Sequence, residues 1–104
     1  MTNLTELADR VEALEEPDRA VDYDIAHFVT GAHMTTGKAP NYTALFDAAM
    51  TLVTDRRGIT LDIGPKITEV TIQYRIGDKP MLAEAKAATP ALALCAAALR
   101  ARGA

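Results

Sequence analysis

The sequence predicts an α+β domain: a three-stranded antiparallel meander packed with about four helices, the last of them central. Three observations carry this. Apolar residues recur every three or four positions through Leu4–Leu14, Val21–Val29 and Leu45–Val53. Between Ile59 and Ala87 they recur at every second position instead, and from Pro90 to Arg102 nearly every residue is a strong helix former. The 104 residues read as one domain, 1–104, able to bury about 65% of its unfolded surface in a single core. Twenty residues are alanine, so many core positions carry little side chain and neighbouring backbones can approach closely. With no Trp, two Phe and three Tyr, the core is aliphatic.

In chain order, the first helix is expected over 3–15, with Leu4, Leu7, Ala8, Val11 and Leu14 on one stripe. Pro17 stops it, and Glu16 or Asp18 caps a second helix over 18–30 that buries Val21, Ile25, Phe28 and Val29. Gly31 to Tyr42 is one long loop. A third helix over 43–54 turns Leu45, Phe46, Ala49, Leu52 and Val53 inward, with Tyr42 packing one turn earlier. Strands follow at 59–63, 68–76 and 81–87, joined by Gly64-Pro65 and by a hairpin turn at Gly77-Asp78. Their polar alternates, Thr71, Gln73, Arg75, Glu84 and Lys86, make a face that is solvated by default. Thr89 caps and Pro90 opens the last helix, 90–102, whose apolar positions cover more than half its circumference.

Composition removes several function classes. No apolar run approaches the ~18 residues of a membrane span, and no basic segment with an apolar h-region opens the chain, so a cytoplasmic protein is expected. The one cysteine, Cys95, lies on an apolar stripe and reads as a small core residue. Gly31 to Ala39 imitates a phosphate-binding loop but fails it: five residues separate the glycines, and Ala39 stands where Ser or Thr is required. Asp24 with His27 one turn on, plus His33, does not amount to a metal site, so no metal or cofactor is expected.

Net charge is −3, unevenly spread. Eight acids from Glu6 to Asp24 face only Arg10 and Arg19 in that stretch. They are either the solvated faces of two surface helices or an acidic docking surface for a basic partner. Direct nucleic-acid binding needs clustered Lys and Arg and is disfavoured. On the docking reading, the partner-binding residues are Glu12, Glu15 and Asp22, joined by His33 and Lys38 of the long loop. Reversing the three acids is then expected to weaken binding without unfolding the chain.

The segments Glu16–Ile25, Asn41–Val53 and Ala87–Arg102 resemble a group of small phage and prophage proteins from GC-rich bacteria. That group looks like the phage ABA-sandwich type of domain. The resemblance implies helices on both sides of a small antiparallel sheet, and no functional residues come with it. Small size, the acidic N-terminal half, the long loop and the lack of an assembled catalytic constellation favour an accessory protein in a bacterial host that is not an enzyme and binds a host protein or nucleoprotein complex, such as a CRISPR–Cas defence complex. Two alternatives stand beside it. One is a small enzyme or ligand-binding domain using Asp24, His27, His33 and Tyr42 for proton transfer. The other is a self-associating virion or packaging component.

Overall fold

Each periodic stretch becomes the element its period implies, in a computed structural model that describes residues 4–30, 41–53, 58–76 and 78–103. The order is α1 (Leu4–Ala13), α2 (Arg19–Thr30), α3 (Phe46–Met50), β1 (Gly58–Ile63), β2 (Thr68–Ile76), β3 (Lys79–Ala87) and α4 (Pro90–Gly103). The strands form an antiparallel sheet in the order β1-β2-β3, with Leu61 opposite Val70 and Val70 opposite Ala85.

Helix α4 is the hub. It lies on β2 and β3, and α1 and α3 pack against its remaining sides. Every residue from Ala91 to Leu99 is buried as a result. A helix enclosed on all sides needs apolar residues on all sides, and this one alternates leucine with alanine to fit. Ala83, Ala85 and Ala87 of β3 are likewise buried beneath it, so small residues meet on both layers. The Thr89 hydroxyl accepts the Leu92 N–H at 3.2 Å, as the cap position requires. At the start of α2 it is Asp18 that caps, its carboxylate accepting the Ala20 N–H at 2.9 Å.

The polar alternates Gln73, Arg75, Glu84 and Lys86 are exposed and Thr71 is half-buried. The sheet is therefore one-sided, as the alternation implied. Among the described residues no helix covers that face, in contrast to the two-sided arrangement implied by the resemblance.

Three expectations need correction. The third helix does not run from 43 to 54. Residues 42–44 form a turn, Leu45 takes extended backbone (φ −115°, ψ 125°), and the helix proper is Phe46–Met50. The cause is Thr43, whose N–H and hydroxyl both donate to Asp22 of α2 at 2.8 Å and pin the turn there. Leu45 is consequently exposed rather than inward. Second, α1 ends at Ala13, two residues early, in a turn where the Leu14 N–H reaches the Val11 carbonyl.

Third, the buried face of α2 is Val21, Asp22, Ile25 and Ala26, with Phe28 exposed at 37%. At 100° per residue this face is rotated by roughly 45° from the expected one. The expected positions Asn3, Gly77 and the loop 31–40 lie outside the described residues, as does the side chain of Val29.

Candidate interaction surface

The acids expected to form a docking surface are mostly committed inside the molecule. Asp22 is 0% exposed, which overturns its place on that surface. Its Oδ1 accepts both bonds from Thr43, and its Oδ2 accepts one from Arg19 at 3.0 Å. Thr43 Oγ1 in turn accepts the Asp18 N–H at 2.9 Å, so one buried carboxylate ties the start of α2 to the turn before α3. The wheel held a signal for this: once Ala26 is counted as apolar, Asp22 falls between it and Ile25 on the same face.

Glu12 is half-buried and also engaged. Its carboxylate takes a 2.5 Å bond from Arg100 and the Lys86 N–H at 2.8 Å. The Arg100 guanidinium beside it holds its carboxyl below the usual carboxylate range, although partial burial opposes this. Arg100 is correspondingly pushed up by Glu12 and Asp9. Asp9 pairs with Arg100 at 2.7 Å, and Asp24 with Arg10 at 2.9 Å. Glu15 and Glu16 remain as exposed acids without an ion-pair partner among the described residues. His33 and Lys38 lie outside the described residues.

Three residues of the enzyme alternative, Asp24, His27 and Tyr42, are among the described ones. Asp24 turns toward α1 and Arg10, on the side of α2 away from Asp22. His27 is exposed, edge-on to Phe28 with ring centroids 6.2 Å apart. Tyr42 is buried, and burial pushes its hydroxyl up. Its carbonyl accepts the Cys95 thiol at 2.9 Å. Cys95 is itself fully buried, and burial, helped by the nearby Asp22 carboxylate, pushes its thiol up to about 12. A thiol so protonated is no nucleophile. A cavity of about 190 Å³ opens beside α4 between Leu52, Ile72, Tyr74 and Arg102. Its guanidinium is held at one side, with Nε donating to the Leu52 carbonyl at 2.8 Å.

The feature that sequence reading missed is an asymmetry between the two sheet edges. An edge strand presents unpaired N–H and C=O groups at every second residue. On β3 those outward groups belong to Pro80, Leu82, Glu84 and Lys86, and the row is interrupted at three of these residues, Leu82 being the exception. Pro80 has no N–H, the Glu84 carbonyl accepts from Arg100 at 2.8 Å, and the Lys86 N–H is taken by Glu12.

The register carries the alternation across the sheet to β1. Gly58, Thr60 and Asp62 turn their backbone groups toward β2, and Ile59, Leu61 and Ile63 turn theirs outward. The Gly64 N–H bonded to the Ile67 carbonyl at 2.9 Å has the same phase. Nothing among the described residues bonds to the outward groups of β1. Ile59 is partly buried against the core, whereas further along the Leu61 and Ile63 side chains are apolar and exposed, because α4 sits over β2 and β3. Leu61 is 36%, Ile63 62% and Ile67 53% exposed. Alternation could not show this exposure, since period 2 says which face a residue is on and not whether anything covers it.

Compared with protein families, curated proteins and solved structures, the chain matches none of them. The resemblance to the phage group therefore remains an expectation that rests on three sequence segments.

Proposed function

We propose that this protein works by binding another polypeptide, which adds a strand to the open edge of β1. The observation that carries the reading is the contrast between edges. One is interrupted by Pro80, Arg100 and Glu12, while on the other the outward backbone groups of Ile59, Leu61 and Ile63 have no partner among the described residues and lie beside the exposed Leu61 and Ile63 side chains. Strand addition supplies main-chain hydrogen bonds for affinity and alternate side chains for specificity, and β1 offers both.

The wider expectation was a phage accessory protein occupying a host protein or nucleoprotein complex, and it fits a binding module of this kind. Its contact moves, however, from the acidic helices to the sheet edge. Asp9, Glu12, Asp22 and Asp24 already have partners within the fold.

Affinity capture from a lysate of the bacterial host tests this, with wild type, Leu61→Lys/Ile63→Lys and Glu15→Arg as baits and bound chains identified by mass spectrometry. A chain held by wild type and Glu15→Arg but lost from the edge variant is expected. Equal capture by all three would place the contact elsewhere.

A further inference from the structure

We propose that the polypeptide seated on β1 is a second copy of this chain, the two β1 strands pairing antiparallel about a two-fold axis at Leu61. This rests on β1 being a binding edge and names its occupant. The strand is self-complementary about that residue. Leu61 meets Leu61 of the other copy, Ile59 meets Ile63, and Thr60 meets Asp62. Apolar thus faces apolar, polar faces polar, and neither Asp62 stands directly opposite another charge.

Ile59, Leu61 and Ile63, whose backbone groups turn outward, would be matched with one another. The axis therefore makes each of these three pairings a doubly hydrogen-bonded one. Across such an axis the apolar faces of both sheets stay on the same side, so the exposed Leu61 and Ile63 side chains of the two copies join in one row. α4 lies over β2 and β3, so among the described residues the central helix does not stand over the β1 edge.

The other edge explains why assembly stops at two. Pairing β1 to β1 is isologous and leaves only β3 edges at the ends of the resulting six-stranded sheet. Both of these are interrupted by Pro80, which lacks an N–H, and by the bonds of Arg100 and Glu12 to Glu84 and Lys86, which leave no unbroken ladder for a further strand. An open edge at each end would give filaments, whereas one open edge and one closed edge give a closed pair. The contact is small, so association in about the micromolar range is expected.

Light scattering across a concentration series should rise from the 11.1 kDa chain mass to twice that value. Leu61→Lys/Ile63→Lys, at exposed positions, should stay at the single-chain mass with an unchanged circular dichroism spectrum. Leu61→Cys supplies the geometric test. Residues paired at the axis have Cα atoms about 5.5 Å apart, within disulfide reach. Mild oxidation should then give a covalent dimer, while Thr60→Cys, offset from its own mate, should not. Cys95 is buried and does not compete.

A chain that remains monomeric at high concentration, with Leu61→Cys folded but uncrosslinked, would overturn the dimer. If the capture experiment then still returns a foreign chain that depends on the edge, the binding edge stands and only its occupant was misnamed. Loss of edge dependence in both experiments removes both readings. Cross-linking by Thr60→Cys as efficient as by Leu61→Cys would overturn the register.

Discussion

Asp22 is the residue whose role differs most from its type. An aspartate on an acidic helix reads as surface charge, yet it is sealed at 0% exposure among two donors from Thr43 and one from Arg19. Arg19 also lies 5.2 Å from the Tyr23 ring and donates to Asn41, which keeps the cation in place. Removing the acceptor takes away three hydrogen bonds, one of them charged, and leaves the buried Thr43 N–H without its acceptor. Asp22→Ala should therefore cost roughly 3 kcal/mol in urea unfolding, and Thr43→Val should cost less because only the hydroxyl goes. Additive losses in the double variant would mean that the pair is not coupled. It follows that reversing Glu12, Glu15 and Asp22 together is a test of folding. Glu15, exposed and unpaired among the described residues, is the clean probe of surface charge.

At the scale of elements, α4 and α3 make opposite cases. The last helix combines capping, propensity and an unbroken apolar surface, and all three point the same way. Leu99 is fully buried within it. Leu99→Ala should cost about 2–5 kcal/mol through the cavity it leaves, read as a shift in the urea midpoint at constant slope. A change within error would make α4 peripheral. The third helix had a comparable apolar pattern, but its start carried Thr43, and a single buried acceptor on α2 redirected the backbone there. Five residues of helix remain. The sheet behaves similarly: Leu61 and Ile63 share the face of Val70, which is buried, but the helix layer lies over β2 and β3 and leaves them exposed.

Across the whole molecule, Arg100 joins three elements, reaching Asp9 and Glu12 of α1 and the Glu84 carbonyl of β3 from its own place on α4. Because Glu12 is held below the usual carboxylate range in the fold, the unfolded chain binds its proton more readily. The stabilisation is thus fully present above the ordinary carboxylate value, ~4.3, and is lost as pH falls through the lowered one. Urea midpoints should hold from pH 7 to about 5 and then decline, and Glu12→Gln should flatten the decline. An identical acid profile in that variant would exclude Glu12 as its source.

The sequence by itself determined the class of the fold, the order of its elements, the meander and the central helix. Those follow from local periodicity, capping and propensity, which act over one or two turns. Tertiary structure decided which face of α2 is buried, where α3 begins, why Asp22 is inside, and which sheet edge stays open. Each of these depends on a partner distant in sequence: Thr43 for Asp22, and Glu12 and Arg100 for the β3 edge. A local pattern specifies what a residue can offer. Only the packed chain supplies the group that takes it, or leaves it without one, as on β1 among the described residues.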